Sequence, residues 1–293
     1  MHIPSCHSVS DSTLLLDGDF NCYAAAATVT DLSAAISRFY KLCLEDLFYT
    51  GCKKLEVYLT SPMSTLCNRK LYPSVKPYQA NRERVIKPPL LAPLRHALRT
   101  GENHPDDMVI IWADDCEADD AIIMRGEVLY DKCVIFSKDK DLRVTRAPLW
   151  HYKEMSVDTI HDRLGWLSLD KSASFPILGH GTKFFWMQML MGDPADNVRG
   201  IRLLKGARCG PIKAYDFLSR IDNDECTIAT AVVSQYARIN QDVLSEAECL
   251  WLRRSPDDTA YKYLCEVVKN EVLYEWITEL HQYHAKILEA HNA

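Results

Sequence analysis

The chain has 293 residues, 47% apolar and 25% charged, with 40 acidic against 34 basic side chains for a net charge of −6. That length and balance supply ample core for one large or two modest globular domains and exclude a disordered chain, a fibrous repeat and a small scaffold dependent on staples. No apolar run nears the ~18 residues of a membrane span. The polar opening MHIPSCHSVSDS lacks a basic segment followed by an apolar one, which predicts a soluble, unprocessed cytoplasmic chain without membrane contact. The eleven cysteines are odd in number, form no C-x-x-C pair and fall partly inside apolar stretches (Cys22, Cys43, Cys133), so they read as reduced, buried thiols and not as zinc ligands.

In chain order, TLLLD (13–17) reads as a buried strand ending in an acid and a glycine turn, and YAAAATV after it is helix-prone. Over 31–49 apolar residues recur at helical spacing, with Asp31 as cap and Gly51 as stop. LEVYLT (55–60), MVIIWA (108–113) and CVIFS (133–137) are strand-like, rich in β-branched and aromatic residues, with helical patterns between them. Past about residue 185 the strand pattern fades, and 226–238 and 260–288 read as helical. The expected fold class is therefore α/β, a twisted, mostly parallel sheet flanked by helices, followed by a helical region; the expected domains are 1–185 and 186–293.

Charge is unevenly spread. Between Arg69 and Arg99 stand eight bases (Arg69, Lys70, Lys76, Arg82, Arg84, Lys87, Arg95, Arg99) and one acid, Glu83. From Glu102 to Asp120 come eight acids (Glu102, Asp106, Asp107, Asp114, Asp115, Glu117, Asp119, Asp120) and no Lys or Arg. Two solvated faces of opposite sign are the plain reading of such runs; a phosphate-binding patch beside a cation-binding one is the functional reading.

The acids favour the second, because parallel sheets bind ligands at the carboxyl ends of their strands. Asp17 follows the first strand, Glu117, Asp119 and Asp120 the third, and Asp139 and Asp141 the fourth. Glu117 with Asp120, and Asp193 with Asp196 in GDPADN, are i,i+3 pairs; Asp139 and Asp141 are i,i+2. Clustered carboxylates repel and are costly to bury, so their convergence implies divalent cations, and an oxygen donor set without His or Cys implies Mg²⁺ or Mn²⁺. Two such ions suit phosphodiester hydrolysis.

LLLDGDFN, R-x-LYP…PYQANR, EADDAI, SKDKD and GDPADNVRGI occur in this order over residues 13–252, and with them the chain resembles the flap endonuclease and 5′-to-3′ exonuclease family, most of all the exonucleases of short-tailed bacteriophages. The resemblance implies a PIN-like nuclease domain, a helical arch over about 66–87 and a helix-hairpin-helix DNA-binding region. It implies Mg²⁺- or Mn²⁺-dependent release of nucleotides from 5′ ends of duplex DNA in phage replication or host DNA degradation. Nicks, gaps, flaps and RNA–DNA hybrids are the substrates it suggests, replication proteins the partners, and the host cytoplasm the location if the chain is phage-encoded. Carried across, one metal site falls on Asp17, Glu117 and Asp119 or Asp120, and the second on Asp139, Asp141, Asp193 and Asp196. Asp19 is a turn residue in this reading, and Asp114 and Asp115 are loop acids. Substrate contacts fall on Arg69, Lys76, Tyr78, Gln79 and Arg82 in the arch. In the hairpin over 197–218 they fall on Gly200, Lys205, Gly206, Arg208, Gly210 and Lys213, often with a bound K⁺. Tyr72, Tyr78 and Trp186 are the candidates for stacking on frayed bases.

Two departures stand out. LTSPMSTLCNR offers only Thr60, Ser61, Ser64 and Thr65 where the family has an acid before the arch, and PYQANR carries Gln79 where the family has lysine. They leave three alternatives to the exonuclease reading: a flap endonuclease, a catalytically weak member that binds branched DNA, and an RNA nuclease of the related PIN class, which the glycine hairpin disfavours.

Overall fold

The computed structural model describes residues 11–101, 105, 108–172 and 176–292. Glu102, Asp106 and Asp107 of the acidic block, and most of the polar opening, lie outside the described residues. The chain forms two compact units, one of 1–67 with 86–160, the other of 68–85 with 161–293. The sequence reading divides the chain at 185/186; residues 161–185 here cluster with the second unit, as does most of the expected arch.

The first unit is built on a six-stranded sheet in the order β3-β2-β1-β4-β5-β6, comprising β1 (Thr13–Asp17), β2 (Lys54–Thr60), β3 (Met108–Ala113), β4 (Cys133–Phe136), β5 (Leu149–His151) and β6 (Ser156–Asp158). All neighbours are parallel except β5 and β6. Four strands fall where the apolar runs predict them. β5 and β6 are too short, at three residues each, to leave a pattern. Leu16 is in register with Phe136, which brings the exit of β4 level with Asp17.

Four helices cover this sheet: α1 (Gly18–Ala27), α2 (Leu32–Thr50), α3 (Leu91–Thr100) and α4 (Ala118–Leu129). Asp31 caps α2 by accepting the Ala34 amide at 2.8 Å, and Gly51 ends it in the left-handed region, as the periodicity predicts. α1 starts hard against β2: a Cβ on Gly18 would lie 2.6 Å from Val57 Cγ1 and 2.9 Å from the Tyr58 carbonyl, so only glycine lets the chain turn directly from Asp17 into a helix. Leu14, Leu16, Phe39, Val57, Leu59, Leu94 and Phe136 fill the layer between helices and sheet.

The second unit holds a hairpin, β7 (Trp166–Leu169) with β8 (Ile177–His180), and six helices among its described residues: α5 (Thr182–Met191), α6 (Pro211–Leu218), α7 (Glu225–Arg238), α8 (Val243–Leu250), α9 (Ala260–Val267) and α10 (Glu271–Asn292). The predicted helical run 260–288 is broken at 268–270, where Asn270 caps α10 by accepting the Leu273 amide at 3.1 Å. The core is aromatic, with Trp251 stacked on Tyr263 at 3.9 Å and Phe185 edge-on to both. The expected arch segment folds as two 3-10 helices, Leu66–Leu71 and Ala80–Arg84; prolines at 73, 77, 88 and 89 oppose a longer α-helix there.

Candidate metal centre

Asp17, the last residue of β1, caps α1, its Oδ1 accepting the Asp19 amide at 3.0 Å. Its Oδ2 accepts the Ser137 hydroxyl at 2.8 Å. Ser137 Oγ in turn accepts the Asp139 amide at 2.8 Å, and Asp139 Oδ1 accepts the Asp141 amide at 3.0 Å. These bonds fix the loop leaving β4 against the end of β1. From the other side, α4 begins just after β3 and carries Asp119 in its first turn.

The carboxylates feel one another. Burial, then Asp19 and Asp139, push the Asp17 carboxyl up to about 7, against the Ser137 and Asp19 hydrogen bonds. Burial raises Asp119 well above the ordinary carboxylate range, and Asp17, Asp139, Glu117 and Asp141 raise it further. Two cations answer this charge: Lys140 Nζ lies 3.1 Å from Asp141 Oδ1, and Arg143, whose ionisation burial weakens, is held charged by Asp139 and Asp141. Asp17, Glu117, Asp119, Asp139 and Asp141 therefore form an all-oxygen donor set that keeps protons when nothing else neutralises it. That is the chemistry a hard divalent cation fits.

Several residues expected at this centre do other work. Asp120 is fully buried and forms a reciprocal capping box with Glu117: its Oδ2 accepts the Glu117 amide at 3.2 Å, while the Glu117 side chain accepts the Asp120 amide. Between Asp119 and Asp120, the alternatives left by the sequence, Asp119 is thus the one facing the other acids. Asp19 pairs with Arg95 at 2.6 Å and also accepts the Thr60 amide, so it is more than a turn residue. The hydroxyls in place of the family's acid are all occupied. Thr60 accepts the Ala118 amide and Ser61 the Arg99 guanidinium, while Ser64 and Thr65 donate to the carbonyls of Cys116 and Asp115.

Within the second unit, Asp193 lies on a bridge to Val198 and caps the turn by accepting the Ala195 amide at 2.8 Å. Asp196 is gripped by arch residues: Gln79 Nε2 donates to Oδ1 at 3.0 Å, the Tyr78 hydroxyl donates to Oδ2 at 3.3 Å, and the Arg82 guanidinium pairs with Oδ1. The expectation that Tyr78 stacks on bases is corrected by its 4% exposure; Trp186 is fully buried and Tyr72 sits edge-on to His284. Arg69, expected on phosphate, is 1% exposed and donates to the carbonyls of Glu248 and Trp251, which makes it a brace of this unit. The basic run is further dispersed in the first unit by Arg95 and Arg99, which lie over Trp112 and pair with Asp19 and Asp114. Lys70, Lys76, Arg84 and Lys87 remain exposed.

The glycine hairpin divides likewise. Gly200 is buried, its amide bonded to Glu246 Oε2 at 2.8 Å, and a Cβ there would lie 2.4 Å from the Gly192 nitrogen. It is a packing residue, not a DNA contact. Lys205 and Gly206, both at positive φ, form a two-residue turn closed by bonds between Leu204 and Ala207, and Lys213 Nζ ties both of those carbonyls at 2.5 and 3.3 Å. Lys205, Gly206, Arg208 and Gly210 are exposed beside the first turn of α6. The residues that sequence reasoning missed are Ser137 and Lys140, and their signal was position: they alternate with the acids in SKDKD.

No family model matches the chain, and no curated protein sequence does. Solved structures do: a bacteriophage T5 flap endonuclease variant in complex with DNA and metal ions is 16% identical, aligned over 94% of this chain and 99% of its own, with a TM-score of 0.53. The T5 5′-exonuclease with bound zinc is 17% identical over 95% of this chain and 98% of its own, with a TM-score of 0.50. The architecture is thus that of a phage 5′-nuclease, seen over nearly the whole length of both chains.

Proposed function

We propose that this chain is a divalent-metal-dependent nuclease that hydrolyses phosphodiesters at 5′ ends of duplex DNA. The observation that carries the reading is the coupling of Asp17, Glu117, Asp119, Asp139 and Asp141 at the carboxyl edge of a parallel sheet, in a fold whose solved examples include complexes with metal and DNA. A divalent ion such as Mg²⁺ or Mn²⁺ bound there supplies positive charge to the phosphodiester and lowers the pKa of attacking water. The chain's own residues prepare that step: Ser137 fixes the Asp17 carboxylate, the capping box fixes Glu117, and Lys140 and Arg143 hold the Asp139–Asp141 loop in a single arrangement. A second ion, with Asp193 and Asp196 among its ligands, belongs to the proposal on the strength of the sequence resemblance and is tested by metal titration of Asp193→Asn. Duplex backbone is assigned to the exposed turn of Lys205, Gly206 and Arg208 with the α6 amino terminus, contacts that carry no base specificity.

The test is a nicked duplex labelled at the 5′ end and incubated with Mg²⁺. Release of the label as a mononucleotide supports a 5′-exonuclease, and release of a short oligonucleotide from a flapped substrate supports the flap endonuclease reading. The occupied hydroxyls at Thr60, Ser61, Ser64 and Thr65 favour one further reading, a DNA-binding member with weak turnover. Binding in Ca²⁺ without hydrolysis in Mg²⁺ would establish it.

A further inference from the structure

Three exposed side chains of the first unit stand at the rim of the carboxylate centre and take no part in the chemistry above. Phe20, in the first turn of α1, is 43% exposed, and Tyr152, just past β5, is 51% exposed. Between them lies Lys138, its Nζ 4.3 Å from the Phe20 ring centroid and 5.4 Å from that of Tyr152. Lys138 sits in the chain between Ser137, which binds Asp17, and Asp139.

The placement is unusual for a lysine in an acidic loop. Two residues further on, Lys140 reaches Asp141 at 3.1 Å, as Coulomb attraction dictates. Lys138 instead lies on two ring faces, an arrangement that leaves its ammonium accessible and able to move. Tyr152 is held in place from behind by Phe136, stacked at 6.2 Å and 11°. Two exposed rings bracketing one cation suit a ligand with a flat π face and a negative charge. Tyr72, Tyr78 and Trp186 are turned to other uses, so the stacking expected of them is open to these rings.

We propose that Phe20, Lys138 and Tyr152 form a nucleotide-binding site at the rim of the carboxylate centre, in which the rings carry an unpaired nucleobase and Lys138 meets its adjoining phosphate. The inference rests on the nuclease reading for its role: these are positioning residues, which hold the nucleotide beside the bond to be cut and touch no reacting atom.

The probe is a duplex with a short 5′ overhang carrying 2-aminopurine at the terminal nucleotide, titrated in Ca²⁺ with the full-length chain. Stacking in the wild type quenches the fluorophore. Phe20→Ala and Tyr152→Ala lose most of the quench and weaken binding by about 5- to 100-fold, the loss of one stacked base, while Tyr152→Phe keeps both. Lys138→Gln keeps the quench and lowers the slope of log affinity against log salt by about 1. In Mg²⁺ the alanine variants raise KM and change kcat by less than about threefold, a split that a merely structural role does not produce. An unquenched wild-type complex, or full quenching by the Phe20→Ala/Tyr152→Ala double variant, overturns the proposal. Quenching that depends on these residues in a chain that cuts nothing keeps this site and removes the nuclease reading; cutting with an indifferent quench does the reverse.

Discussion

Gln79 occupies a position where related nucleases carry lysine, and its side-chain amide donates to Asp196 at 3.0 Å while the neighbouring Arg82 pairs with the same oxygen. Asp196 thus has a cationic partner without the lysine. Gln79→Lys adds a second cation to one carboxylate in a half-exposed setting, where an extra ion pair is worth at most ~1 kcal/mol. The expected result is a thermal midpoint within a few degrees of wild type and a hydrolysis rate within about threefold. A loss of a hundredfold would show that the amide at this position has its own function.

Asp119 and Asp120 are adjacent but do different work, one facing the other acids and the other capping α4. Asp119→Asn is expected to reduce Mg²⁺-dependent hydrolysis by at least about 10³-fold with duplex binding in Ca²⁺ retained, as for loss of a group acting on the transition state. Asp120→Asn is expected to cost ~1 kcal/mol of stability through the cap, with kcat within tenfold. Steady-state kinetics and denaturant melts on the two variants check the contrast.

Asp17 makes the metal-free stability depend on pH. The folded chain holds its proton to about pH 7, and burial is the main cause; an unfolded aspartate releases it near pH 4. Between those values the unfolded state binds fewer protons, so this group's contribution to stability is complete below about pH 4 and is lost as pH rises to 7, by up to about 4 kcal/mol. In EDTA, Asp17→Asn is expected to be more stable than wild type at pH 7.5, with the advantage disappearing toward pH 4. Mg²⁺ is expected to raise the wild-type melting temperature more at pH 7.5 than at pH 5.

Arg69 separates a buried brace from a phosphate contact. Arg69→Met removes hydrogen bonds to the Glu248 and Trp251 carbonyls and is expected to destabilise the chain by about 3 kcal/mol while leaving the salt dependence of DNA binding unchanged. The double variant Lys205→Ala/Arg208→Ala should behave oppositely, keeping its melting temperature and lowering the salt slope by about 2. Urea melts and fluorescence anisotropy at several salt concentrations read both.

These contrasts mark what was legible in the sequence. The strand-then-acid pattern placed Asp17, Asp139 and Asp141 at one sheet edge, because strand periodicity and parallel topology fix where a strand ends. It could not separate Asp119 from Asp120, since an i,i+3 acid pair opening a helix is also the spacing of a capping box. Arg69, Arg95 and Arg99 counted as patch charges because composition is blind to burial, and each is committed to the unit's own carbonyls, carboxylates or rings. Tyr78 failed as a stacking residue for the same reason. Strands β5 to β8, three or four residues long, left too little periodicity to see.

The most direct measurement is anomalous diffraction at the manganese edge from crystals grown with Mn²⁺. The account predicts a peak within ordinary metal–oxygen distance, about 2.0–2.3 Å, of carboxylate oxygens drawn from Asp17, Asp119, Asp139 and Asp141. Crystals of catalytically competent protein at saturating Mn²⁺ that show no peak among these side chains would contradict it.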